Sequence, residues 1–266
     1  MNRPASAVTC SRYSAARGCI ADVARLAADI PLFPVERTMP LAALAGARAA
    51  ATPRIGWAAV FMKAYAVVAA DMPILRTWLA HGPAGLRPRL ATSAGSVATL
   101  AVNRIEAGED RLFWARLAQP DARPLAEIQQ FVIDCGTKPV EEIFKRQLQL
   151  EMVPGFLRRT ILRWNMRSVS PKRAARIGTF SLSTLAGLGA TNRFHPTICT
   201  TSLSYAPLDA SGNCLVTLIA DHRVLDGAAA ARALDRLEQV LLGRMHAELT
   251  AIPAAAPRPA GRPAAA

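Results

Sequence analysis

Hydrophobic positions along the chain follow two periods, and the switches between them mark the elements. The clearest switch runs from Leu215 to Leu241. An apolar run, Leu215 to Ala220, predicts a buried strand, and a charged corner of Asp221, His222 and Arg223 follows it. Asp226 and Gly227 then open a helix in which Ala230, Ala233, Leu234, Leu237, Val240 and Leu241 recur at three- and four-residue steps, so one face is buried. Ser14 to Ala28 carries a second stripe, Ile20, Val23, Ala24 and Ala27, stopped by Pro31. The stretch from Pro31 to Leu44 predicts an edge strand broken by Pro34 and Pro40, since proline cannot donate to a central ladder. Ile55 to Ala70 is apolar on all sides except Lys63 and predicts a central helix packed on a sheet.

Further along, Gly82 to Arg89 predicts a loop, and Ser96 to Asn103 and Leu112 to Leu117 predict strands around a Glu106–Asp110 turn. Pro124 to Asp134 predicts a helix with Leu125, Ile128 and Val132 on one face. Between Val140 and Arg176 lie a helix over Val140–Leu150 and, after Pro154-Gly155, a basic segment. In it Phe156, Leu157, Thr160, Ile161 and Trp164 align at helical spacing, with no acidic residue from Phe156 to Arg176. Thr197 to Tyr205 predicts a strand, and the Asp209–Asn213 turn leads by a hairpin into the strand before His222. Residues 1–13 and the Pro/Ala-rich 251–266 predict an irregular start and a disordered tail around one domain at 14–250.

Composition narrows the classes. A chain of 266 residues, 52% hydrophobic and 19% charged, can bury one sizeable core. No apolar run approaches the ~18 residues of a membrane span, and the first residues lack a secretory apolar core. Five cysteines (Cys10, Cys19, Cys135, Cys199, Cys214) form no Cys-x-x-Cys pair, which argues against a disulfide framework and against a zinc site. A reducing cytoplasm and no metal are the expectations. The net charge of +13 is carried mostly by arginine and favours an acidic partner or anionic surface. No nucleic-acid-binding module is present, so no nucleic acid is expected.

His222 is a titratable group at the exit of a buried strand, four residues ahead of Asp226. A histidine's ordinary pKa near ~6.5 suits proton transfer at neutral pH. Gly227 marks a place where the backbone turns tightly or approaches something closely. The string DHRVLDGAAAAR, following a buried strand, resembles the His-x-x-x-Asp-Gly signature of the dihydrolipoyl acyltransferase catalytic domain of 2-oxoacid dehydrogenase complexes. The chloramphenicol acetyltransferases share that fold. GTFSLSTLAGLG, at 178–189, resembles the same family's Gly-Thr-Phe-Thr-h-Ser-Asn-h-Gly strand, where h is apolar. The opening helix, proline and strand and the PLAEI helix are also similar. The likeness spans most of residues 14–245 and is dense at 178–189 and 215–237.

The resemblance implies an α/β, chloramphenicol acetyltransferase-like single domain, a mixed sheet flanked by helices that assembles as a homotrimer. It implies a site between subunits. His222 would be the base, and Ser183 of a neighbour would stabilise the tetrahedral intermediate. Asp226 would orient and pair with Arg17, whose bland alternative is a solvated helix arginine. Gly227 and Thr184 would meet the acyl donor, Thr184 standing where the family has asparagine or serine. The implied activity moves an acyl group from a CoA, phosphopantetheine or lipoyl thioester to a thiol, hydroxyl or amine. A catalytically silent trimeric scaffold or membrane-surface adaptor is the alternative from another class.

The chain departs from the family in lacking its Thr-Pro-x-Gly-Leu turn and in the longer helical segment at about 140–176. Its basic helix, 156–167, could pack on its own core, dock an acidic acyl-carrier or lipoyl domain in trans, or lie on an anionic membrane. His195, after the Ser183 strand, reads as a loop histidine with a pocket role as the alternative. The catalytic-like region begins near Met1 and ends in the Pro/Ala tail, so a free trimer, and not a complex core, is expected.

Overall fold

A computed structural model describes residues 8, 10, 13–81 and 87–252. The rest of the expected tail, most of the expected irregular start, and residues 82–86 of the expected loop lie outside the described residues. Six strands make one mixed sheet: β1 (Leu32–Pro40), β4 (Val97–Glu106), β5 (Glu109–Ala118), β6 (Phe180–Leu182), β7 (Thr201–Tyr205) and β8 (Asn213–Asp221), in the order β1-β8-β7-β6-β4-β5. β6 pairs in parallel with β4 and β7, and every other pairing is antiparallel. A separate hairpin joins β2 (Thr77–His81) to β3 (Pro88–Thr92). Helices α1 (Ala15–Ala28), α2 (Ala42–Ala50), α3 (Trp57–Asp71), α4 (Leu125–Thr137), α5 (Val140–Ile143), α6 (Lys145–Glu151), α7 (Gly155–Arg167), α8 (Lys172–Ile177), α9 (Gly227–Val240) and α10 (His246–Thr250) flank it. The result is a single α/β domain.

The two sheet faces are different in kind. On the inner face Ala98, Phe180, Leu203, Leu218 and Ala220 meet α3 and α9 in one continuous core. Every residue of α3 from Ala59 to Ala69 is buried, which is why its sequence is apolar on all sides. Each fully buried large side chain there contributes about 1.5–3 kcal/mol. Lys63, the exception, is paired at 2.6 Å with Glu248 of α10. The outer face carries polar residues. Register places Arg116, Thr99, Ser181, Ser202 and Ile219 in one row across β5, β4, β6, β7 and β8. Alternation along a strand brings Ser183, two residues past Ser181, to the same face.

Three expectations are corrected. β1 is continuous despite Pro34 and Pro40. The Pro31 carbonyl accepts from His222 N–H at 2.9 Å, so alternation turns positions 34 and 40 towards the open edge, where a missing donor costs nothing. The edge strand does not reach Leu44 either, because Ala42 starts α2. Of the three readings of the basic helix, packing of its apolar stripe on the core is set aside: α7 buries Arg158, Leu162 and Asn165, while Phe156, Leu157 and Trp164 are exposed. Its apolar stripe therefore does not pack on the chain's own core. A buried ion pair decides this, for Arg158 Nε donates to Asp22 Oδ2 of α1 at 2.7 Å with both side chains buried. No helix among the described residues is long and apolar enough to cross a membrane.

Candidate active site

β8 delivers His222 to the end of the sheet. The Asp221 carboxylate, buried at that end, accepts from Arg223 N–H, Nε and Nη2 at 2.8–3.0 Å, which fixes the corner. Leu225 is buried beneath it. The imidazole itself faces outward, its side chain 55% exposed, with Nδ1 3.5 Å from Asp226 Oδ1. Phe33 of β1 supports one side of the ring at a centroid distance of 4.7 Å. Asp226 holds the N-cap position of α9 but makes no side-chain capping bond. Its exposed carboxylate lies within ion-pair distance of His222 Nδ1 without a hydrogen bond.

Ser183 follows β6, its N–H donating to Leu203 O at 3.0 Å. It lines a cavity of about 310 Å³ between the outer sheet face and helices α1, α6 and α7. A buried polar relay runs beside it. His195 Nε2 lies 2.7 Å from Ser202 Oγ, Ser202 accepts from Ser181 Oγ at 2.7 Å, and Ser181 Oγ is 3.1 Å from Thr197 Oγ1. The Asn192 amide stands 3.1 Å from His195 Nδ1; if it donates, Nε2 carries the proton. Burial pushes the His195 pKa down to about 4. Sequence periodicity undervalued this residue because 190–197 forms no helix or strand. The signal present was its place directly after the Ser183 strand.

Ser183 and His222 do not meet within one chain. Ser183 stands level with Ser204 of β7 and Thr217 of β8, whereas His222 lies beyond Asp221 at the far end of β8. That separates them by roughly 16 Å along the strand and by two strand spacings of ~4.8 Å across the sheet.

Arg17 is not the partner of Asp226. It is exposed on α1, its guanidinium 3.5 Å from the Asp110 carbonyl at the opposite edge of the sheet. Asp226 pairs with His222 instead. Thr184 is committed to backbone, its hydroxyl donating to Tyr205 O at 2.7 Å and accepting from Ala186 N–H at 3.1 Å. Gly227 starts α9 with no neighbour within 4 Å of where a Cβ would stand. Nothing in the chain itself requires glycine there, so neither the tight turn nor the close approach is found within one chain. All five cysteines are free.

No protein-family model matches the chain, and no curated protein matches it in sequence. Solved structures do resemble it. The truncated catalytic core of the 2-oxoacid dehydrogenase multienzyme complex from Thermoplasma acidophilum superposes with a TM-score of 0.66 at 16% identity, covering 89% of this chain and 99% of that one. A probable dihydrolipoamide acetyltransferase from Listeria monocytogenes gives 0.65 at 15% identity, covering 90% and 96%. The Azotobacter vinelandii dihydrolipoamide acetyltransferase gives 0.65 at 16% identity, covering 92% and 95%. The chain thus has the fold of the dihydrolipoamide acetyltransferase catalytic core.

Proposed function

We propose that this protein is an acyltransferase. It moves an acyl group from a CoA, phosphopantetheine or lipoyl thioester to a thiol, hydroxyl or amine, at a site completed between copies of the chain. The observation that carries this reading is the His222–Asp226 arrangement at the exposed end of β8, with Nδ1 3.5 Å from the carboxylate. Its support comes from a fold shared with acetyltransferase cores. In the Azotobacter enzyme a serine, a histidine and, four positions later, an asparagine were investigated for their role in the catalytic mechanism; His222 and Asp226 have that spacing.

His222 Nε2 takes the proton of the acceptor as the acceptor's sulfur, oxygen or nitrogen attacks the thioester carbonyl. Asp226 holds the ring and offsets the imidazolium charge. Ser183 of a second copy donates to the oxyanion, and the imidazolium returns its proton to the departing thiol sulfur. No covalent enzyme intermediate is needed. The exposed aromatic and basic face of α7, with Phe156, Trp164, Arg163 and Arg167, supports docking of an acidic acyl-carrier or lipoyl domain.

Acetyl-CoA with dihydrolipoamide as acceptor tests the chemistry. His222→Ala is expected to lower kcat/KM by about 10²–10⁴, and Ser183→Ala by about 10²–10³. Equal rates in wild type and His222→Ala would overturn the reading.

A further inference from the structure

The cavity beside Ser183 has a lining without a single Asp or Glu, yet Arg116, Arg146 and Arg176 all reach it. Two of the three are accounted for. Arg146 is exposed at the rim, and Arg176 donates to Asn165 Oδ1 at 2.7 Å and lies over the Trp164 ring. Arg116 is different. It projects from the outer face of β5 between Thr99 and the helices, half-buried, with its Nε shielded from solvent. Its Nε has no hydrogen-bond partner and no carboxylate among the described residues sits against it.

The nearest groups offer no compensation. Burial, the largest cause, lowers the Arg116 pKa, and the Arg146 guanidinium lowers it further, but an arginine stays charged in a protein. Cys19 and Cys199 face it, and burial raises both thiols, Cys19 to about 11, so neither supplies a thiolate at neutral pH. Gln147 is occupied, accepting from Trp114 N–H at 3.0 Å and donating to Leu112 O and Glu151. A half-buried cation whose Nε is shielded without a partner carries part of a desolvation cost, and such local costs persist where function requires them. Ser181, Ser183 and His195 make one side of the lining polar, while the wall formed by Ile20 and Val23 of α1, Leu150 of α6 and Ile161 of α7, opposite Trp114 and Ala101 of the sheet, is apolar.

We infer that the cavity is a binding site for an apolar carboxylate, whose carboxylate pairs with Arg116 while its hydrocarbon body lies between α1, α6, α7 and the sheet. A volume of about 310 Å³ is at the small end of ligand pockets and suits a medium-length chain or a single aromatic ring. The planar guanidinium gives the carboxylate a two-pronged partner. The 140–176 segment builds the roof. The cavity shares Ser183 with the proposed acyl-transfer site, but carboxylate binding rests on Arg116 and is read by calorimetry, so its failure and the failure of the acyltransferase reading are separately visible.

Calorimetric titration with octanoate, octan-1-ol and octylamine tests it. Octanoate is expected to bind at least about tenfold more tightly than the alcohol, and the amine not at all. Arg116→Met removes the preference for octanoate over octan-1-ol while raising Tm, because it replaces a half-buried charge that has no carboxylate partner with a side chain of similar length. A merely structural arginine would lower Tm instead. Arg116→Lys retains part of the preference. Ala101→Phe, which fills the cavity and leaves Arg116 in place, abolishes binding of both. Octanoate failing to bind wild type, binding no better than the alcohol, or binding Arg116→Met undiminished would overturn the site.

Discussion

His195 is held neutral by its surroundings, and that has a consequence for stability. A histidine in an unfolded chain titrates near ~6.5, whereas burial brings His195 down to about 4. Above pH ~6.5 neither state binds the proton, and stability does not depend on this group. As pH falls from ~6.5 towards 4 the unfolded chain takes up a proton that the native state refuses, so stability falls, levelling off below 4. Between pH 7 and pH 5 the loss amounts to about 1–2 kcal/mol. Urea unfolding at the two pH values should show that loss in wild type and much less of it in His195→Gln. Equal losses would mean that another group carries the dependence. At the same scale, the difference between His222 and His195 could not be drawn from spacing. Both follow strands, but one is presented to solvent by β8 and the other is folded back onto Ser202 by the irregular segment after Ser183.

At the scale of elements, the α1–α7 contact decides what the basic helix shows to the outside. Asp22 accepts from Arg158 at 2.7 Å and from Arg159 at 3.1 Å, and Arg158 also donates to Glu151 O at 3.3 Å. Removing one partner of such a pair leaves an uncompensated buried charge. Asp22→Ala is therefore expected to cost about 3–5 kcal/mol in urea unfolding, while Arg17→Ala, one turn away but exposed, should stay within about 0.5 kcal/mol. A small loss in Asp22→Ala would show that apolar packing, and not the ion pair, holds α7. Periodicity found the helix but left open whether its apolar stripe packs on the core, docks a carrier or lies on a membrane, because a stripe says that one face is distinct and not which face meets the core. α2 was hidden for a related reason, as its alanines continue an apolar run that also fits an edge strand. The β4–β5 hairpin was legible throughout. Its turn is Ala107-Gly108, both at positive φ (53° and 78°), which matches the two-residue turns that close twisted strands.

At the scale of the molecule, sheet register argues for assembly. Ser183 and His222 are separated by roughly 16 Å along the strands and by two strand spacings, so a site using both needs a second copy, and light scattering is expected to give three times the chain mass. Co-expression of His222→Ala with Ser183→Ala chains should recover activity, up to about one quarter of wild type if copies mix at random around a ring. Recovery no greater than the two variants show separately would place the whole site within one chain.

The sequence by itself determined the succession of elements, the central apolar helix, and two motifs that carry the candidate chemistry, Ser183 after β6 and His222 after β8. Burial period gave the elements because it is a local property of the chain, while Ser183 was singled out by the resemblance of its strand to the acyltransferase motif. Only the tertiary structure decided that Arg17 lies against Asp110 while Asp226 turns to His222, and that α7 faces outward. It alone also showed that Arg116, an ordinary strand arginine in sequence, reaches a cavity whose lining holds no carboxylate. Those outcomes depend on which distant segments are packed together, and charge compensation between such segments leaves no periodic mark.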